Sequence, residues 1–234
     1  MERYDISKIT ICKEMIVSYG IILFTKLYGK KHYLICDRGS SLEYSDIFNP
    51  RCPTDKVISY VRMCTPDERS KLKKYINHFD VLYNDSFSSF RTYRSIKDRF
   101  FKIKSLIIKG LELPPTEPIL SLYGFPKGRR KPNEAGIDAA LREFEEEVKI
   151  SPDMIRVLGK PPLEEIFIGT DGKKYKNIYY RCDTEVMIIP RKTRTNSTIS
   201  GREWTVSNEI HDVLWATKEE CKELLNPSTY ELIH

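Results

Sequence analysis

The sequence predicts an α+β domain that is interrupted by a helical insertion. Three observations support this prediction: β-rich runs occur on both sides of the chain's middle, a block with helical periodicity lies between them, and 234 residues suffice for one large domain or a small domain with an insertion. With 40% hydrophobic and 31% charged residues, the chain has the composition of a protein with a packed core. Global disorder is therefore excluded.

The first part of the domain, residues 1–45, contains a predicted β-hairpin. Residues 16–24 and 32–36 are rich in residues that favour strands, and the polar, glycine-containing residues 26–31 connect them. The longest apolar stretch, residues 15–24, is far shorter than the ~20 residues that a bilayer-spanning helix requires, so we expect no membrane span.

The insertion, residues 46–112, is predicted to be helical and basic. Thr65, Pro66 and Glu68 form a capping box that starts a helix running toward His78. A second helix is indicated by apolar residues that recur at spacings of three and four: Tyr93, Ile96, Phe100, Ile103 and Ile107. Basic residues fall largely away from that apolar face: Arg91, Arg94, Arg99, Lys102 and Lys109. Residues 51–110 hold 14 Lys and Arg against 6 Asp and Glu, which favours contact with a polyanion or, alternatively, a solvated helix face.

The second part of the domain, residues 113–234, alternates strands and helices. Strands are predicted at residues 119–123, 185–189 and 210–215, a helix near residues 137–148, and a hairpin over residues 165–180. Asp171 and Gly172 suit the turn of that hairpin because both tolerate positive φ. Thr217 and Glu220 form a capping box that opens a short last helix.

The cysteines and the start of the chain indicate a reducing, cytoplasmic compartment. The N-terminal residues 1–14 mix charges of both signs and no cleavage pattern follows, so a secretory signal is not expected. No Cys-x-x-Cys occurs, which argues against a zinc site or a dense disulfide framework, and we expect reduced, buried thiols at all six cysteines: Cys12, Cys36, Cys52, Cys64, Cys182 and Cys221.

Residues 124–150 carry the clearest chemical signal. On the predicted helix, Glu143, Glu146 and Glu147 stand at positions i, i+3 and i+4, so three carboxylates share one face and repel each other. A hard divalent cation, Mg²⁺ or Mn²⁺, removes this conflict and organises phosphate oxygens and a water. The preceding glycine-containing loop permits close backbone approach, and its Lys127 supplies a cation suited to phosphate.

The spacing of these residues resembles the Nudix box. Eight positions match its pattern: Gly128, Glu134, Arg142, Glu143, Phe144, Glu146, Glu147 and Ile150. The last glycine of the pattern is replaced by Lys149, a difference that concerns the turn at the end of the helix.

The resemblance implies a Nudix fold, with a mixed β-sheet between helices, and hydrolysis of phosphorus anhydrides. It further implies that the divalent metals are held by Glu143, Glu146 and Glu147 with Glu134 contributing to the metal site, and that Arg142 and Gly128 are structural. Glu143 and Glu147 are accordingly candidate catalytic residues, and a further carboxylate outside the box would act as general base.

The hairpin of residues 171–180 and the basic insertion resemble the decapping proteins of large cytoplasmic DNA viruses of the African swine fever virus type. Two further segments resemble Dcp2-type mRNA-decapping enzymes. These are residues 123–129 (YGFPKGR) and residues 208–215 (NEIHDVLW), and the second places Glu209 where that family carries its general base. The resemblance implies capped mRNA as substrate, with 7-methylguanosine diphosphate and 5′-monophosphate RNA as products, in the cytoplasm of a host cell. The basic insertion would then bind RNA through Arg91, Arg94, Arg99 and Lys102.

Two other functions fit the same residues. A hydrolase of diphosphoinositol polyphosphates or dinucleoside polyphosphates would also act on highly anionic substrates through such a loop. A non-catalytic RNA-binding module would retain the box as structure only. The intact set of Glu143, Glu146 and Glu147 argues against this last alternative.

Overall fold

The computed structural model describes residues 15–83, 90–116, 121–169, 172–188, 210 and 212–234, with the backbone alone at residues 90–92. Within these residues, no helix is long and apolar enough to cross a bilayer. Five of the six cysteines fall in the described part, and all five are buried free thiols, as predicted.

The chain begins with the predicted hairpin. Strand β1 covers Ile16–Leu27 and strand β2 covers Lys30–Asp37, joined by a turn at Tyr28 and Gly29. Both turn residues have positive φ, 49° and 77°, as a tight two-residue hairpin turn requires.

Five helices follow β2 and pack around a hydrophobic cluster of their own. They are α1 (Leu42–Phe48), α2 (Val57–Met63), α3 (Pro66–Tyr75), α4 (Phe79–Leu82) and α5 (Phe90–Glu112), with a short 3-10 turn at Thr54–Lys56. The apolar stripe predicted for α5 is its inward face, where Ile96, Phe100, Ile103 and Ile107 are buried. We refer to α1–α5 as the helical block; its exact domain boundaries, 46 and 112, stay a prediction.

Two polar side chains, the buried Glu68 and the half-buried Arg69, hold the helical block together. The capping box at Thr65 forms as predicted, and Glu68 also accepts hydrogen bonds from the N–H and hydroxyl of Ser41, which caps α1. Arg69 donates to four backbone carbonyls near the ends of α2 and α5, those of Val61, Gly110, Leu111 and Leu113. One guanidinium thus satisfies carbonyls that helix termini leave unpaired.

The second part of the domain completes the sheet and adds three helices. Its strands are β3 (Tyr123–Gly124), β4 (Lys127–Gly128), β5 (Arg156–Val157), β6 (Leu163–Ile168), β7 (Lys174–Asp183) and β8 (Asp212–Thr217). Its helices are α6 (Gly136–Val148), α7 (Lys218–Leu224) and α8 (Pro227–Glu231), with a 3-10 turn at Pro152–Met154. The capping box at Thr217 opens α7, as predicted.

The sheet is mixed, and its two central hairpin strands separate to admit β3 and β4. β1 pairs with β2 only from Phe24 to Leu27; farther from the turn, β4 pairs with β1 at Tyr19 and Gly20 while β3 pairs with β2 at Cys36 and Asp37. On its other side β1 runs parallel to β7, whereas β8 lies antiparallel to β2. The segment that carries the glycine-containing loop is therefore built into the middle of the sheet.

Helices cover both faces of this sheet. Alternate residues of β1 explain the layering: Ile21 and Leu23 pack with Phe144 of α6 on one face, and Ile22 packs with Cys221 of α7 on the other. The predicted α+β fold, a mixed sheet between helices, is confirmed.

Three predicted elements differ from the structure. The helix that begins at Pro66 ends at Tyr75 and not near His78. Residues 185–188 form no strand, and the carbonyl of Ile188 accepts a hydrogen bond from the Trp215 indole. At residues 119–123, only Tyr123 is in a strand among the described residues; residues 119 and 120, like Asp171 and Cys12, lie outside them.

Candidate active site

The acidic helix α6 presents one apolar and one charged face, as its sequence predicts. Ala140, Phe144 and Val148 are buried against the sheet, while the glutamates project from the other side. The helix ends at Lys149, which has left-handed backbone angles (φ 60°, ψ 28°) and donates its N–H to the carbonyl of Glu145. Glycine usually occupies this left-handed position at a helix end. Lysine adopts the same backbone angles here, which costs about 1 kcal/mol of folding free energy.

Two of the glutamates lie directly against the loop strand β4. Glu147 Oε2 accepts a hydrogen bond from the backbone N–H of Lys127 at 2.9 Å. The carboxylate of Glu143 occupies the space where a side chain at Gly128 would be, because a Cβ added there would overlap the carboxylate. Gly128 therefore permits the close approach of Glu143 to the loop strand, and its structural role stays a prediction.

A second close approach fixes the loop against β1. A Cβ on Gly20 would overlap the carbonyl oxygen of Pro126, and the N–H of Ile21 donates to that same oxygen at 3.1 Å. Backbone packing of β1, and not only the loop's own sequence, therefore positions Lys127 and Gly128.

Arg142 is surrounded by carboxylates. Its guanidinium bonds both oxygens of Glu134 at 2.8 and 3.0 Å, Glu143 at 2.8 Å, Glu146 at 3.2 Å and the carbonyl of Arg129 at 3.0 Å. The positive charge of Arg142 thus offsets part of the repulsion expected among the glutamates. Arg142 connects α6 to the loop before it, and its structural role stays a prediction.

Glu134 is occupied at both oxygens. Besides Arg142, the N–H of Lys131 donates to it at 2.7 Å. These hydrogen bonds lower the pKa of Glu134 to about 2. Because both oxygens of Glu134 already accept hydrogen bonds from the protein, the geometry favours a supporting role, and metal ligation by Glu134 stays a prediction.

Burial sets the electrostatics of Glu147 and Lys127. Removal from water raises the pKa of Glu147, and the charge of Glu143 raises it further. Burial also lowers the pKa of Lys127, and the positive charge of Arg38 lowers it further. Burial therefore disfavours the charged form of both groups, and the positive charges of Lys127 and Arg38 offset part of this effect at Glu147.

The chemistry of these donors fits a hard divalent cation. Glu143 and Glu147 offer carboxylate oxygens on either side of the Lys127–Gly128 backbone, and a cation would relieve the burial cost of Glu147. In the described part of the chain, however, no three His, Cys, Asp or Glu side chains are grouped as a metal site. Glu146, half exposed and bonded to Arg142, is thus not brought into one group with the other two.

Arg38 was missed by the sequence analysis. It follows β2 and donates its backbone N–H to the carbonyl of Leu122, which aligns it with the segment leading into β3. Its charge influences Lys127, Glu147 and Cys36. No local motif marks this residue, because the contact joins segments that are more than eighty residues apart in the sequence.

The basic residues proposed to bind RNA do not all lie on one exposed surface. Arg94 and Lys102 are exposed on α5, as expected. Arg99 is not on that surface: its Nε and Nη2 atoms are buried without a hydrogen-bond partner in the described residues, and its charge lowers the pKa of the Cys52 thiol, although burial raises that pKa overall. Spacing explains this, because Arg99 lies on the flank of α5 that faces the Cys52 loop. The Arg91 side chain and the whole of Glu209 lie outside the described residues.

Comparison with known proteins identifies the family. Residues 106–234, more than half of the chain, match the model of the NUDIX domain. The chain belongs to the NUDIX family. The resemblance noted in the sequence is thereby confirmed, and the family's architecture agrees with the mixed sheet between helices.

Curated relatives are viral. A protein of Acanthamoeba polyphaga mimivirus, provisionally named an mRNA-decapping protein, is 36% identical over 107 residues, which are 45% of this chain and 27% of that protein. The mRNA-decapping protein g5R of African swine fever virus, strain Badajoz 1971 Vero-adapted, is 26% identical over 152 residues, 64% of this chain and 56% of g5R. This NUDIX chain thus spans about a quarter to a half of these relatives.

Among solved structures, a binary complex of the Ap4A hydrolase of C. elegans aligns with a TM-score of 0.48 at 13% identity, covering 94% of this chain and 93% of that one. The Nudix hydrolase RenU of M. smegmatis aligns with a TM-score of 0.43 at 10% identity, covering 93% and 81% of the two chains.

Proposed function

We propose that this NUDIX protein is a metal-dependent mRNA-decapping hydrolase. The observation that carries the proposal is the pair of carboxylates, Glu143 and Glu147, held against the Lys127–Gly128 backbone in a chain whose curated relatives are named for mRNA decapping. Water would attack a phosphorus of the cap's anhydride bridge, and the bridging P–O bond would break. The products would be 7-methylguanosine diphosphate and RNA with a 5′-monophosphate.

Metal binding, orientation of the carboxylates and proton transfer would be carried out by different residues. Glu143 and Glu147 would hold Mg²⁺ or Mn²⁺, which when bound supplies charge to the phosphate oxygens and acidifies a water. Arg142 and Glu134 orient Glu143 through their hydrogen bonds. Lys127 and Arg38 add positive charge beside these carboxylates. By resemblance, Glu209 would be the general base and Glu146 a further metal ligand, although Glu146 is paired with Arg142 in the structure.

The helical block would bind the RNA body. Exposed Arg94 and Lys102 lie on the side of α5 that turns away from the apolar core, where phosphates can approach. Arg99, half-buried beside Cys52, would not contribute to this surface. A cytoplasmic location, in the host cell for a viral protein, would bring the enzyme to capped transcripts.

A comparison of substrates tests the proposal. Cap-labelled RNA, a dinucleoside polyphosphate and a diphosphoinositol polyphosphate are offered at equal concentration with Mg²⁺ or Mn²⁺. We expect 7-methylguanosine diphosphate from the RNA and much slower turnover of the others. Faster turnover of a small substrate would favour the alternative hydrolase functions, and no turnover of any substrate would favour a non-catalytic RNA-binding module.

Charge reversal tests the role of the helical block. In the double variant Arg94→Glu/Lys102→Glu, we expect weaker binding of capped RNA and a salt slope that is smaller by about 1.4, at ~0.7 per lost phosphate contact. Hydrolysis of a cap dinucleotide should be unchanged. The control is Lys160→Glu/Lys222→Glu, which reverses two exposed lysines outside the block. If both double variants weaken RNA binding equally, the effect is net charge and not a surface of α5.

A further inference from the structure

The tip of the β1–β2 hairpin is an unusual surface that the catalytic site does not explain. Tyr28, at the turn, is 95% exposed, the largest exposure among the large hydrophobic residues of the described chain. It also has a φ of 49°, in the left-handed region. A bulky side chain is uncommon there, and Asn would suit this turn position better. Neither turn geometry nor core packing therefore accounts for a tyrosine at this place.

The same tip is strongly basic. Residues 26–31 are all exposed and contain Lys26, Lys30 and Lys31 but no acidic residue. Lys26 and Lys31 are directly opposite each other in the register of the hairpin. Like charges in that arrangement destabilise a strand pair. The tip has no acidic residue of its own to offset this repulsion.

Neighbouring groups neutralise this charge only in part. Asp183 lies close enough for Lys26 to lower its pKa, but Asp183 is already paired with Arg156 at 2.9 and 2.6 Å. Lys31 places its ammonium 4.7 Å from the centre of the Phe24 ring, which is favourable but leaves its charge uncompensated. An external anion is the partner that this surface fits.

We propose that this hairpin tip is a contact site for single-stranded RNA, in which Tyr28 stacks on a base and the three lysines contact phosphates. An exposed aromatic ring within a cluster of basic residues is the combination that single-stranded nucleic acids recognise. The inference rests on the proposed function, because it takes the bound RNA to be the capped substrate.

The position of the tip defines which part of the RNA it contacts. β4, which carries the loop of the active site, pairs with β1 at Gly20, eight residues before Tyr28. At ~3.3 Å per residue, the tip lies about 26 Å along the strand from that pairing. A cap dinucleotide cannot span this length, so the hairpin contacts RNA beyond the first nucleotides.

Three variants of the full chain test the site, by anisotropy with a labelled, unstructured RNA of about 20 nucleotides in the absence of divalent metal. Tyr28→Asn removes the ring but favours the turn, so we expect at least about fivefold weaker binding with an unchanged or higher Tm. Tyr28→Phe keeps the ring and should bind within about twofold of the wild type. Replacing Lys26, Lys30 and Lys31 by Ser should reduce the salt slope by about 2.

The outcomes separate this site from the proposed function. Wild-type RNA affinity in Tyr28→Asn, an equal loss in Tyr28→Phe, or a Tm that falls together with affinity would each overturn the stacking site. So would binding to phosphatidylserine vesicles that depends on Tyr28 when RNA binding does not. Since these assays involve no hydrolysis, a wild-type chain that fails to release product from capped RNA would refute the proposed function alone.

Discussion

Replacing Gly128 by Ala is the most informative single perturbation of the site. The added Cβ would overlap the carboxylate of Glu143, and ordinary contact begins at 3.4 Å. Because the carboxylate is the far end of a flexible side chain, it can move aside, by more than about 1 Å. A displacement of that size in a catalytic group costs on the order of 10²-fold in rate. We therefore expect kcat on capped RNA to fall about a hundredfold.

The fold should tolerate this change. The backbone of Gly128 has no positive φ, so Ala restricts the unfolded chain and strains nothing in the folded one, and Tm should stay within a few degrees. Gly124→Ala is the matched control, because a Cβ there meets nothing within 4 Å. It should keep both rate and Tm. Wild-type activity in Gly128→Ala, or equal losses in the two variants, would refute the assignment of Glu143 to the reacting site.

Three other predictions concern separate parts of the molecule. In Glu209→Gln, the rate should fall steeply near neutral pH and partly recover at high pH; an unchanged pH–rate profile would place the base elsewhere. The lowered pKa of Glu134 contributes stability above pH 4.5 that is lost as pH falls toward about 2, so Glu134→Gln should flatten the acid limb of the Tm–pH curve. Arg69→Ala, which removes four hydrogen bonds to carbonyls, should cost at least about 2 kcal/mol in urea unfolding; a loss under 0.5 kcal/mol, roughly the range of ordinary surface changes, would contradict this role.

Local signals predicted the elements that local chemistry determines. The capping boxes at Thr65 and Thr217 and the amphipathic pattern of residues 137–148 correspond to helix starts and a helix in the structure. The family could be recognised from the sequence for the same reason, because one loop and one helix set the spacing of the Nudix-box residues.

Long-range packing determined what the sequence analysis missed. The separation of β1 and β2 that admits residues 123–128 depends on pairings between distant segments, and it brings Arg38 toward Lys127. Helical periodicity placed Arg99 outside the apolar stripe but did not show that the Cys52 loop covers that flank. The strand predicted at 185–189 is absent at the described residues 185–188, where a tryptophan from β8 donates a hydrogen bond to the carbonyl of Ile188.

The central claim is that Glu147, held against the Lys127–Gly128 backbone, would hold the divalent metal that hydrolysis of the cap anhydride requires. The most direct test compares wild type and Glu147→Gln for release of 7-methylguanosine diphosphate from cap-labelled RNA at saturating Mg²⁺ or Mn²⁺. We predict a loss of at least ~10²-fold in rate. Because burial raises the pKa of Glu147, the metal-free wild type should lose stability as pH rises above 4.5 toward about 7. A Glu147→Gln protein that keeps more than half the wild-type rate would contradict the claim.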